Sequence, residues 1–252
     1  MIDKAYANEG MRDNCVSEFF QFRASDICNF GRTPMPFFKN PLWRTARSLV
    51  LEWKYSAPNV YTPDDCLPKS FKDYPIYDYH VGRNKPTLGD IHGVDVLDKY
   101  PFSAKFEPWV HEKPLEQWEH HPDEIFSHDY VGLRDLDFYA MDSIERISGL
   151  IDSIHTHGYD PHKFDSFITI DVLSIDSEFL GDENETVYIA DGHHRVAALI
   201  VLENRCAPAD VQLIGRVRSW TRGVEDWEAV KADDPILTKA QAEIILNRYV
   251  DV

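Results

Sequence analysis

The clearest pattern of apolar and polar positions lies in the second half of the chain. Ile144, Ile147, Leu150, Ile151 and Ile154 recur at helical spacing and mark one apolar stripe. Asp142 or Ser143 can cap that helix by accepting from its free amides. Gly158 supplies a left-handed stop, and Pro161 prevents continuation. The period then shortens. Phe167 to Val172 reads as a strand, an acidic turn follows at Gly181 to Glu185, and Thr186 to Ala190 reads as a second strand. A helix begins near His193 and runs to about Asn204, burying Val196, Leu199, Ile200 and Leu202. Val211 to Ile214 is a third strand. The tail from Leu237 to Tyr249 is a helix with Ala240, Ile244, Ile245 and Tyr249 as its buried face.

The first 120 or so residues have another texture. Prolines and aromatics cluster there, as in Pro34-Met35-Pro36-Phe37-Phe38 and Tyr74-Pro75-Ile76-Tyr77-Asp78-Tyr79. One helix stands out, Asn40 to about Tyr55, with Trp43, Ala46, Val50 and Trp53 near helical spacing. The expected organisation has three parts: a covering segment over residues 1–125, an α/β (α+β) module over 126–220 and a helical tail over 221–252. The covering segment is expected to be largely irregular chain that packs by its aromatics.

Composition narrows the classes. No stretch reaches the roughly 18 apolar residues of a membrane-spanning helix, and the polar N-terminus lacks a signal-peptide core, so a cytoplasmic protein is expected. Cys15, Cys28, Cys66 and Cys206 are too scattered for a zinc knuckle, a redox dithiol or a disulfide scaffold. With 43 acidic against 26 basic residues the net charge is −17, which opposes general nucleic-acid binding. Arg205, Arg216, Arg218 and Arg222 form a local cationic cluster, whose plainest reading is solvated surface charge.

The chemistry concentrates where a strand passes into a helix through Asp191-Gly192-His193-His194-Arg195. A helix start leaves about four amides unpaired and carries partial positive charge, which makes it an anion site. Gly192 permits a tight turn, and Arg195 offers a planar fork of donors to phosphate oxygens. His193 and His194 can donate to phosphate. Asp191 can cap the helix, hold a metal ion or orient a hydroxyl for attack. Arg134, Asp135 and Asp137, just before the first module helix, form a second polar group: Arg134 for phosphate, the two aspartates as base or Mg²⁺ ligands. Glu119 to Asp129 is rich in metal-ligand residue types, yet His120 and His121 are adjacent and lack helical zinc spacing. P-loop, nucleophile-elbow and Rossmann fingerprints are absent.

The string Tyr188-Ile189-Ala190-Asp191-Gly192-His193-His194-Arg195-Val196-Ala197-Ala198-Leu199 resembles the signature of the ParB/sulfiredoxin superfamily, with the upstream helix ending Ser153-Ile154-His155-Thr156-His157-Gly158 in the matching place. The resemblance covers about residues 130–217. Sulfiredoxins have Gly-Cys-His-Arg at this turn, and here His193 stands at the position of their catalytic cysteine, which argues against that activity. The partitioning ParB proteins have Gly-Glu-Arg-Arg and bind CTP, an arginine pair this chain lacks. The turn is most similar to the Asp-Gly-His-x-Arg of ADP-dependent free-serine kinases. That resemblance implies ATP or ADP with Mg²⁺, a small-molecule acceptor, phosphate contacts from Gly192, His193, His194 and Arg195, and a catalytic or metal-holding Asp191. More loosely, the flanks resemble uncharacterised ParB-like proteins of surface-polysaccharide gene neighbourhoods. The expected function is therefore a kinase-type phosphotransferase. A nucleotide-responsive binding module without turnover and a nuclease or DNA-modification accessory are the alternatives.

Overall fold

The computed structural model describes residues 19–30, 33–55, 70–81, 87–98, 107–110, 136–161, 167–175, 184–203, 211–233 and 235–250. In chain order the elements are β1 (Phe19–Arg23), β2 (Asn29–Phe30), β3 (Thr33–Pro34), α1 (Pro41–Tyr55), α2 (Pro75–Val81), α3 (Leu88–His92), α4 (Leu136–His157), β4 (Ile168–Ile175), β5 (Asn184–Asp191), α5 (His193–Glu203), β6 (Gln212–Arg222), α6 (Glu228–Lys231) and α7 (Lys239–Val250). The fold is mixed α/β. Its main sheet has the order β1-β6-β4-β5, with β4 and β6 parallel and the two outer pairs antiparallel.

Strand alternation sorts the core into two layers. Ile168, Ile170, Val172, Val187, Ile189 and Leu213 face one side, where they meet the buried faces of α1, α4 and α5. Leu173, Tyr188 and Ala190 face the other, under Trp109, Trp227, Ile245 and Tyr249. The second layer is largely aromatic: Trp109 stands edge-on to Tyr188, Trp227 and Tyr249, with centroids 4.6, 5.5 and 5.5 Å away. Such pairs add about 0.5–1.5 kcal/mol each beyond their buried area.

Helix α4 begins at Leu136, six residues before the expected cap, so Asp142 and Ser143 are helical. Ala140 is fully buried and nothing between Leu136 and Met141 breaks a helix, so packing extends it. Asp142 instead bonds Arg146 one turn on, at 2.8 Å. The expected Gly158 stop is present: its φ is +75° and its amide closes on Ile154 O. Helix α1 is capped by Asn40, whose Oδ1 accepts from the amides of Leu42 and Trp43. In α7 the buried face is Ala242, Ile245, Leu246 and Tyr249, while Ile244 is 44% exposed and Ala240 is also outside. Both faces of that helix are apolar enough that spacing alone does not select the phase.

The described N-terminal residues are more regular than expected. Phe22, Ala24, Ile27, Leu42, Ala46 and Ile76 share the core with the module helices. Strand β1 pairs with β6, Phe19 opposite Arg216 and Arg23 opposite Gln212. Residues 27–29 cover the outer edge of β5. Ile27 bridges Val187, the Cys28 amide donates to Val187 O, and the Asn29 carboxamide takes both polar groups of Ile189.

Arg218 is no solvated cation. Its Nε donates to Asp171 Oδ1 at 2.9 Å, and its Nη2 reaches both Asp171 Oδ2 and, at 2.6 Å, Glu107 Oε2. Trp109 Nε1 adds a third bond to Asp171 at 2.8 Å. Asp171 and Glu107 are 0% and 1% exposed. Burial works against the guanidinium charge, but Asp171 and then Glu107 outweigh it and raise the Arg218 pKa. Arg218→Leu would strand two buried carboxylates and is expected to cost about 3–5 kcal/mol. Arg222→Leu at the strand end should stay within about 0.5 kcal/mol. Urea unfolding of both variants checks this, and equal midpoints would remove the compensating role from Arg218.

Candidate functional site

Strand β5 ends at Asp191 and α5 begins at His193, so Gly192 alone makes the turn. Its φ is +93°, a region that favours glycine. Its carbonyl accepts from the Val196 amide at 2.9 Å, which makes Gly192 the N-cap. A glycine cap has no side chain to return to the helix, so the first-turn amides of α5 lack the usual oxygen. A Cβ on residue 192 would lie 3.2 Å from Arg195 Nη1 and 3.3 Å from Ile168 Cα. The close approach is therefore to backbone of β4 as well as to a side chain.

Asp191 belongs to the strand. It pairs with Thr169 across a register shift and is exposed. Among the described residues its carboxylate accepts no hydrogen bond, so it does not cap the helix it precedes. Thr169 in turn pairs with Arg216 on β6, and Arg216 with Phe19 on β1, so one lateral row crosses the sheet beside the turn.

The other three side chains turn partly inward. Arg195 Nη1 donates to Phe167 O at 2.9 Å, and its side chain also bonds the Tyr159 hydroxyl, which meets the Ile168 amide. Burial raises the Tyr159 pKa, with Arg195 and these hydrogen bonds opposing. Arg195 thus fastens the end of α4 and the start of β4 to the turn, in addition to any phosphate it meets. His193 Nε2 lies 3.4 Å from Asn29 Nδ2. His194 has a buried Nε2 with no hydrogen-bond partner among the described residues. Burial lowers its pKa to about 4; Arg146 adds to that, while Asp142 and Asp191 oppose it. The ring is therefore neutral at pH 7, and it packs as an apolar body instead of offering a cationic phosphate contact.

Of the second polar group, Arg134 and Asp135 lie outside the described residues. Asp137 is in the first turn of α4, with its side chain outside them. The histidine-rich segment 119–129 lies outside as well. Among the described residues no three His, Cys, Asp or Glu converge as a metal cage. Cys28 is free and buried, and burial pushes its thiol pKa well up, so it is a packing residue and not a reactive thiol. His155 and His157 lie in the last turn of α4. Asn29 was not singled out from the sequence, although it is the N-terminal residue that reaches the turn.

Comparison of the chain with family models, curated proteins and solved structures gives no match. No helix among the described residues is long and apolar enough to cross a membrane.

Two outcomes follow from this geometry. Gly192→Ala should destabilise the protein by at least about 1–2 kcal/mol, because a left-handed φ and a backbone contact oppose any Cβ. Thermal unfolding measures it, and a neutral result would mean that the turn relaxes freely. His194 has a lower pKa folded than unfolded, so its neutral form contributes stability above pH 6.5 that is lost as pH falls towards 4. His194→Gln should remove on the order of 2–3 kcal/mol from the stability difference between pH 7 and pH 4, after allowing for partial exposure. Urea titrations at both pH values test this; unchanged pH dependence would place the ring in water.

Proposed function

We propose that the 191–195 turn holds nucleotide phosphates and that the protein is a Mg²⁺-dependent phosphotransferase, using ATP or ADP and a small hydroxyl compound. One observation carries the reading: Asp191 stands exposed before a helix start that Gly192 already caps. A carboxylate beside an anion site repels the ligand, so its presence calls for a role that offsets that cost. Capping is not that role here. The turn resembles that of the ADP-dependent kinases of the ParB/sulfiredoxin superfamily, and the mixed sheet with a strand–glycine–helix junction is compatible with such a module.

In this reading the open amides of α5 bind the terminal phosphates, with Gly192 allowing close approach. Arg195 keeps the turn in shape and lends charge. Asp191 accepts a hydrogen bond from the acceptor hydroxyl and takes its proton. The hydroxyl oxygen forms the new bond to the terminal phosphorus as the bridging P–O bond breaks, and that electron pair leaves on the nucleotide oxygen. Mg²⁺ needs only one or two carboxylates when phosphates and water complete its shell, so holding it would be the alternative use of the exposed Asp191, in place of the proton transfer. The DNA-accessory reading loses support, since Arg218 is already engaged by Asp171 and Glu107.

Asp191→Asn tests the proposal, since it removes the charge and keeps the shape. Calorimetry should show ADP or ATP binding without Mg²⁺ that is unchanged or tighter. Phosphoryl transfer to a panel of small hydroxyl compounds, followed by phosphorus NMR, should fall at least about 100-fold. Binding without consumption of nucleotide by the wild-type protein would point to the module without turnover. Absence of any nucleotide binding would overturn the reading altogether.

A further inference from the structure

The Asn29 side chain is 1% exposed and its orientation is settled by backbone groups. The Ile189 amide donates to Oδ1 at 2.7 Å, which identifies that atom as the oxygen. The other atom is then the amide nitrogen, and it donates to Ile189 O at 3.1 Å. A carboxamide nitrogen carries two hydrogens and accepts nothing. One hydrogen goes to Ile189 O, and the second is directed at His193 Nε2, 3.4 Å away. A protonated Nε2 would set two N–H donors against each other in a place that Asn29 cannot leave. Nε2 must therefore be the bare, accepting nitrogen.

We infer that Asn29 is a positioning residue that holds the neutral form of His193 as its Nδ1–H tautomer, so that Nδ1 is the only ring donor of that form. The contact at Nε2 is long and contributes little energy, but selection between tautomers needs only that one of them be repelled. The device joins distant parts of the chain, because Asn29 sits at the start of β2 and reaches α5 only by covering the edge of β5. Its functional meaning rests on the proposal above. If the turn holds phosphate, its first helical residue meets the ligand with a donor of fixed position. His193 then cannot offer Nε2 either as a proton donor or as a metal ligand.

Nitrogen-15 NMR of histidine-labelled protein at pH 8, without nucleotide, tests the assignment apart from any catalytic role. His193→Gln identifies the His193 signals by their loss. In the wild-type protein Nδ1 should show the shift of a protonated ring nitrogen and Nε2 that of an unprotonated one. Asn29→Asp replaces the donor by an acceptor and should reverse the pattern, putting the proton on Nε2; a merely structural Asn29 would leave the tautomer unmoved. A wild-type spectrum with the proton on Nε2 overturns the inference, as does an Asn29→Asp protein that keeps it on Nδ1. Should Asn29→Asp fail to fold, the wild-type spectrum decides alone. Nucleotide titration of the same sample reports on the phosphotransferase reading separately, since the tautomer does not depend on it.

Discussion

The arrangement depends on one buried carboxylate. Asp171 sits on β4, in the middle of the sheet, with no solvent exposure, and such a group is tolerated only when every oxygen is bonded and its charge is met. Arg218 from β6 and Trp109 from a distant loop meet it. That requirement fixes the register between β4 and β6 as firmly as the apolar pattern does, since a slip of one residue would move Arg218 away. It also holds residues 107–110 against the second face, where Trp109 organises the aromatic layer. Glu107, brought in by the same guanidinium, leaves the cluster with two carboxylates for one cation. Its specificity thus comes at a cost in desolvation, the usual balance for ion pairs of this kind.

The sheet so fixed sets the geometry of the candidate turn. Asp191 pairs with Thr169, two residues from Asp171, across a register shift. A bulge of that kind re-aims a side chain at the end of a strand. The turn is further held from below by Arg195 on Phe167 O and from the side by Asn29 on Ile189. The parts that tie it down come from α5 itself, the start of β4 and the N-terminal segment, so its shape is a property of the whole chain.

Much of the central region was legible from spacing. The stripe on α4, the two strands and the start of α5 rest on strong periodicity, and Gly158 ends its helix as its position implies. The start of α4 was not legible, because Asp142 suits a cap and an interior ion pair equally well. Strand β1 was missed for a different reason: the alternation of Phe20, Gln21, Phe22 and Arg23 is only four residues long, and its partner on β6 lies about 190 residues away. In the turn, the glycine was readable from its place between strand and helix. The inward packing of His194 and the bonds of Arg195 were not, since they depend on which element lies behind them. One signal was available and unused. Asp171 is a lone carboxylate in an apolar run, and Arg218 is its natural match in a later strand of the same sheet.

The pairing of β1 with β6 bears on how the protein comes to be folded. A strand that begins at Phe19 completes its ladder only with residues 212–216, so the sheet cannot close until those residues have been made. Contacts this remote in sequence raise the entropic cost of the transition state and slow folding. Until β6 emerges from the ribosome, Phe22 has no partner strand and the helices of the first half can meet only the β4–β5 hairpin. Such nascent chains expose apolar surface for as long as synthesis takes, the condition under which chaperones engage a protein. The wait ends when Arg218 arrives beside Asp171.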